Sequence, residues 1–252
     1  MTSKRSEINL KLEIEYNGAN FFGWQKQDGL RTVQGEIEDA FFKLLSSPVA
    51  VEGSGRTDKG VHALGQVATV KIENKIPVKN IKKALNNLLP SDIFVKKVEK
   101  CSDDFHARFS AKKKTYRYIA KVGCERGAID FARTGYYGYK VDLQKMKDAS
   151  KLLVGKHNFK GFSCQDMSVK NFEREIFSID IKKTNSKYVF DVCGSGFLYN
   201  MVRIIVGTLL DVGRGKLTED DIKKALQTGE RKYCGITMSP NGLYLLKVEY
   251  LD

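Results

Sequence analysis

From Ile8 to Tyr16 the chain alternates: Ile8, Leu10, Leu12, Ile14 and Tyr16 are apolar or aromatic, and Asn9, Lys11, Glu13 and Glu15 are polar. Successive side chains of a strand point to opposite faces, so this period of two predicts a strand with one buried face. The turn-rich segment NGANFFGWQKQDGLRT follows. After it, Val33, Ile37, Phe41, Leu44 and Leu45 recur at helical spacing behind Thr32, a residue suited to cap a helix N-terminus. Val49 to Glu52 reads as a short strand, a glycine-rich loop interrupts it, and GQVATVKI resumes an extended segment that ends before Pro77. VKNIKKALNNLL, stopped at Pro90, reads as a second amphipathic helix, and DIFVKKVEK as a further strand.

The pattern then restarts. KKTYRYIAKV sets Tyr116, Tyr118, Ala120 and Val122 on one strand face, and a helix is expected from its cap Asp142 to Leu153, before Gly155. REIFSIDIKK, TNS and KYVFDV read as a hairpin. An apolar helix over Leu198 to Leu210, a shorter one begun by Thr218 with an acidic first turn, and a terminal strand LYLLKVEY complete the set. The class is α+β. The restart near residues 104–110 predicts two domains, 1–105 with the loop around Asp58 and 106–252 with Tyr116 and Arg203. VEGSG and VCGSG, beginning at Val51 and Val192, echo each other only in small residues.

Charge changes the picture from fold to partner. Forty-three Lys and Arg against thirty Asp and Glu leave a formal +13, which favours a polyanion such as nucleic acid. With 42% apolar residues the chain can build packed cores, and no apolar run approaches the ~18 residues of a membrane span. Met1 to Ile8 is too polar for the apolar core of a secretory signal, so the expected location is the cytoplasm. The five cysteines and three histidines are scattered without a C-x-x-C pair, which signals neither a zinc site nor a disulfide framework.

Three positions invite chemistry. VEGSGRTDKGVH packs three glycines around Arg56 and the carboxylate of Asp58. The loop is no phosphate cradle of the G-x-x-x-x-G-K-[ST] kind, because Asp58 stands five residues after Gly53. Arg203 sits in the middle of the apolar helix. Its charge must reach water or find an anionic partner, since burying it unpaired is prohibitive. Snorkelling to the surface satisfies that requirement, as does a pairing with Asp58. The second option lowers the carboxylate's pKa by about 1–3 and keeps it ionised at neutral pH, a nucleophile or a base. Tyr116 is either a sheet-face aromatic or a platform on which an extruded base stacks.

In these blocks the chain resembles the tRNA pseudouridine synthase A family nearly end to end. The blocks are GWQKQ with TVQGEIEDAF, GSGRTDKGVHALGQV, ALNNLLPSDI leading to FHARFSAKKKTYRY, GFLYNMVRIIVGTLLDVGRGK, and GLYLLKVEY. The resemblance implies a two-domain fold of mixed, largely antiparallel sheets flanked by helices, a basic central cleft for tRNA, and a homodimer. It implies isomerisation of uridine to pseudouridine in the anticodon stem-loop, at tRNA positions 38–40, without metal or organic cofactor. Asp58 matches the family's essential aspartate, Tyr116 its active-site tyrosine, Arg203 the basic residue expected to pair with Asp58, and Arg56 the loop arginine that helps displace the base. Three turns depart from the family pattern: YNG with Asn17 for Y-D-G, HNF with Asn158 for H-D-F, and TMSPNG with Met238 to Pro240 for a T-A-P-A-x-G-like turn. None touches the four site positions. A non-catalytic RNA-binding protein is the alternative that charge and scattered aromatics also permit.

Overall fold

In the computed structural model, which describes residues 7–73, 76–164 and 170–250, the alternating stretch forms β1 (Glu7–Tyr16). The polar N-terminal stretch lies, up to residue 6, outside the described residues. Ile8, Leu10, Leu12, Ile14 and Tyr16 are all buried. Asn9, on the other face, is buried too, and its amide donates to the carbonyls of Ser102 (2.8 Å) and Phe105 (2.9 Å). Thr32 Oγ1 accepts the Gly35 N–H at 3.3 Å and caps α1 (Val33–Leu45). Then come β2 (Val51–Gly53), β3 (His62–Glu73), α2 (Val78–Leu88) and β4 (Ile93–Lys100).

The remaining elements are β5 (Ala111–Val122), β6 (Gly135–Tyr137), α3 (Leu143–Lys151) capped by Asp142, and β7 (Gly155–Asn158). They are followed by the hairpin β8 (Glu173–Thr184) and β9 (Lys187–Gly194), α4 (Met201–Arg214), α5 (Glu219–Thr228) and β10 (Leu243–Tyr250). The fold is α+β, and among the described residues no helix is long and apolar enough to cross a membrane.

The chain forms two compact units, one running up to Lys112 and taking back the segment from Leu245 onward, the other Lys113–Tyr244. In the first unit β1 is central, antiparallel to β3 (Leu12 opposite Ala68) and to β4 (Leu12 opposite Val98). The short β2 adds to β3, and β10 also lies beside β3. Gly65 permits that approach, since a Cβ there would stand 2.6 Å from the Leu246 carbonyl oxygen. α1 and α2 bury Ile37, Phe41, Ile81 and Leu85 completely. In the second unit β9 pairs antiparallel with β5 and β8, β7 extends β8, and β6 runs parallel to β5, so the sheet is mixed. Arg117 faces Asp191 across β5 and β9 and binds it through two nitrogens at 2.8 and 2.7 Å.

Three elements differ from their sequence expectation. α4 starts at Met201 rather than Leu198, because Asn200 adopts a left-handed conformation (φ +62°), and it runs on to Arg214 before Gly215 (φ +83°) ends it. β6 and β7, with three and four residues, are too short to show alternation.

Gly207 in mid-α4 has a packing reason. A Cβ there would stand 1.9 Å from the Ile236 carbonyl oxygen, and the following Thr208 Oγ1 accepts the Gly235 N–H at 2.9 Å. The segment around Gly235 is therefore held flat against the helix. Gly207→Ala should destabilise the protein by about 1–3 kcal/mol, despite alanine's better helix propensity, through overpacking. Denaturant unfolding measures this; a stabilised variant would show that the close approach is not required.

Candidate functional site

Asp58 lies on the connection between β2 and β3, two paired strands, and bonds on both sides determine the course of that connection. At its start the Ser54 N–H donates to the Val67 carbonyl (2.7 Å) and Ser54 Oγ to Gln66 Oε1 (2.7 Å). The same Gln66 side chain donates to the Gly55 carbonyl (2.9 Å). Thr57 is buried, its hydroxyl 2.7 Å from the Tyr16 hydroxyl and its carbonyl accepting the Trp24 N–H at 3.0 Å. Burial of Tyr16 pushes its phenol well above the ordinary tyrosine range, so it stays protonated as a hydrogen-bonding group. The Val61 N–H returns to the Asp58 carbonyl (3.1 Å) across Gly60 (φ +80°), closing a tight turn.

The segment Gly18–Trp24 holds this turn from outside. The Gly60 N–H donates to the Phe21 carbonyl (3.3 Å), and the Gly18 N–H donates to Nδ1 of the buried His62 (3.0 Å). Two glycines make the approach possible: a Cβ on Gly18 would meet the Val61 carbonyl oxygen at 1.9 Å, and one on Gly23 (φ +95°) the Thr57 carbonyl oxygen at 2.5 Å. Asp58 itself is half-buried and Arg56 is exposed. Arg56 Nε donates to Gln25 Oε1 (3.1 Å), Gln25 Nε2 to Gln34 Oε1 (2.8 Å), and that oxygen also takes the Lys26 N–H (2.9 Å). The glutamines of GWQKQ and TVQG thus orient the loop arginine.

Tyr116 and Arg203 belong to the second unit. Tyr116 is buried on β5 with Phe197 edge-on at 5.1 Å between ring centroids. Tyr118, two residues on and on the same face, donates its hydroxyl to the Ser239 carbonyl at 2.8 Å. Arg203 is half-buried on α4; its Nε donates to the Met238 carbonyl (2.6 Å) and its Nη1 to Asn200 Oδ1. Asn200 Nδ2 in turn donates to Cys164 Sγ at 3.1 Å. Arg56 and Asp58 therefore share one loop, and Tyr116 and Arg203 share a second framework built by β5, α4 and the turn at Met238 and Ser239.

Sequence reasoning missed Asn200 and Tyr118 as site residues, and it set the Met238–Pro240 turn apart from the four site positions, whereas the Met238 carbonyl accepts from Arg203 Nε and the Met238 N–H donates to the Arg203 carbonyl. Asn200 had a signal, since asparagine is one of the few non-glycine residues that readily take a left-handed conformation. The turn had none, because it acts through main-chain carbonyls. The departing asparagines keep local side-chain bonds to the backbone two residues on: Asn17 Oδ1 accepts the Ala19 N–H (3.2 Å) and Asn158 Oδ1 the Lys160 N–H (3.0 Å), bonds an aspartate would make equally. Among the described residues no group of three or more His, Cys, Asp or Glu is placed to hold a metal ion.

A family model described as tRNA pseudouridine synthase matches residues 13–110 and 149–251. The chain is 43% identical over 242 residues to a tRNA pseudouridine synthase A of Caldicellulosiruptor saccharolyticus, covering 96% of this chain and 99% of that protein. Similar proteins are tRNA pseudouridine synthase A 2 of Clostridium perfringens (44%, same coverage) and tRNA pseudouridine synthase A of Acetivibrio thermocellus (42%, same coverage). Among solved structures, a chain of a Cbf5-Nop10-Gar1 complex superposes with a TM-score of 0.40 at 13% identity, over 98% of this chain and 59% of that one, a likeness too loose to carry an argument.

Burial raises the Tyr118 phenol from 10.0 to about 12, with the Ser239 bond and the nearby Arg203 charge partly opposing it. A group whose proton is held more tightly in the folded state adds stability that is fully present below its unfolded pKa, 10.0, and is lost as pH rises towards about 12. Wild-type unfolding free energy should therefore fall more steeply above pH ~10 than that of Tyr118→Phe. Equal slopes in denaturant titrations would contradict this assignment.

Proposed function

The chain belongs to the tRNA pseudouridine synthase family and is an isomerase acting on tRNA, and we propose that it converts uridine to pseudouridine in the anticodon stem-loop, at positions 38–40, with Asp58 as the ionised nucleophile or base. The observation that carries this reading is the framing of the Asp58 loop. The backbone groups and side chains around Asp58 are tied to β1, β3 and the Gly18–Trp24 segment, and the loop carries one carboxylate. A loop held only for structure does not need that carboxylate half-exposed at its apex.

In this reading Arg203 pairs with Asp58 and holds it ionised, with its guanidinium plane set by Asn200 and Met238. Tyr116 stacks on the extruded uracil and assists loss of the C5 proton. The bond from C1′ to N1 breaks, one from C1′ to C5 forms, C5 releases a proton and N1 gains one, so no electron donor or acceptor enters. Attack at C1′, addition at C6 and removal of the 2′ proton each require a single anion with no second acid beside it. The +13 charge supports a basic RNA-binding cleft, and a homodimer in the cytoplasm belongs to the same reading.

Asp58→Ala should abolish pseudouridine formation on anticodon-arm transcripts while keeping RNA affinity within about tenfold, or ~1.4 kcal/mol. Undiminished turnover by that variant would falsify the assignment. Arg56→Ala should slow turnover more than it weakens binding, because displacing a stacked base costs a few kcal/mol during the reaction. Equal losses in single-turnover rate and affinity would make Arg56 a phosphate contact only.

A further inference from the structure

The rim of the Asp58 loop carries an aromatic side chain that the scheme above leaves without a task. The Trp24 N–H bonds the Thr57 carbonyl (3.0 Å) and the Gly60 N–H the Phe21 carbonyl (3.3 Å), so the segment 21–24 is fastened at both ends to the turn 57–60. Between those two bonds Gly23 packs against the backbone of Thr57 and Asp58, a Cβ there standing 2.5 Å from the Thr57 carbonyl oxygen and 3.3 Å from the Asp58 carbonyl carbon. Phe21 and Trp24 turn inward, 1% and 2% exposed, whereas Phe22 turns out and is 40% exposed. Its backbone is held by its own N–H to the Arg31 carbonyl (2.9 Å) and by Gln27 Nε2 on its carbonyl (3.3 Å). Lys59 Nζ lies 4.0 Å from the Phe22 ring centroid. Gly23, between Phe22 and Trp24, has no side chain, and the close packing against Thr57 excludes one.

A large apolar ring normally gains by turning inward, as both aromatic neighbours do. Holding one outward, on a pinned backbone, beside a cation and one step from the reactive carboxylate, is the arrangement that single-stranded RNA recognition uses: a π-face for a base and an ammonium for its phosphate. We propose that Phe22 and Lys59 form a subsite for a nucleotide flanking the target uridine, the ring stacking on its base and Lys59 contacting its phosphate. The proposal rests on the reading that places RNA at Asp58. Lysine suits the second role because its charge sits on a flexible stem and can move from the ring to a phosphate.

The test uses the full-length protein and anticodon-arm transcripts carrying 2-aminopurine immediately 5′ or 3′ of the target uridine. Wild type should quench the probe at one of the two positions. Phe22→Leu should lose the quenching and raise Kd about tenfold, while kcat at saturating RNA stays within about threefold, and Phe22→Tyr should restore both, as expected for stacking. Lys59→Gln should lower the slope of log affinity against log salt by about 0.7, one phosphate contact on a single strand. Unchanged quenching and affinity in Phe22→Leu, or a fall in kcat alone, would overturn the subsite. Repeating the titration in Asp58→Ala separates the two readings. Phe22-dependent quenching there supports the subsite even if that variant still makes pseudouridine, and its absence removes the subsite while leaving the Asp58 assignment standing.

Discussion

The close backbone contact between the Gly18–Trp24 segment and the turn after Thr57 is the constraint on which the rest depends. It is made of backbone bonds, and it requires glycine at two positions where a methyl group would strike a carbonyl oxygen. The buried Thr57 and Tyr16 hydroxyls anchor its inner side, and the Gln66 amide fixes its entrance. A misplacement of about 1 Å can cost a reaction ~10²-fold, so rigidity at Asp58 has direct chemical value. The apolar interior of the first unit supplies it: β1, with five buried side chains facing one way, is the beam to which the loop is fastened.

The second unit meets a different difficulty, a permanent charge on a helix that is otherwise buried. α4 resolves it by setting Arg203 at the half-buried position of its first turn, where the Met238 carbonyl and the Asn200 amide oxygen each accept from the guanidinium. The close approach at Gly207 and Gly235 brings the segment that carries Met238 near enough for its carbonyl to serve. Packing of a small residue about one turn along the helix thereby bears on the electrostatics at its start.

Much of this was legible in the sequence because the informative features are local. The alternation of β1, the spacing of α1 and α2, the caps Thr32 and Asp142, and the acidic first turn of α5 each follow from neighbours within a few residues. The need of Arg203 for partners was legible as well, since a cation in an apolar helix announces it. What stayed hidden depends on residues far apart in the chain. β6 and β7 exist only through their pairing strands, and the return of the last strand to the first unit has no local mark. The bonds that hold the loop likewise join Gly18 to His62 and Tyr16 to Thr57, across more than forty residues.

The turn at Ser239 carries a practical consequence. Its carbonyl receives the Tyr118 hydroxyl, while its own side chain faces solvent. Every amino acid offers the same carbonyl, so alanine scanning or a saturation library would score this position as dispensable although the strand bearing Tyr116 leans on it. Atoms rather than side chains do the holding there, and only a backbone ester or a change in loop length would expose that dependence.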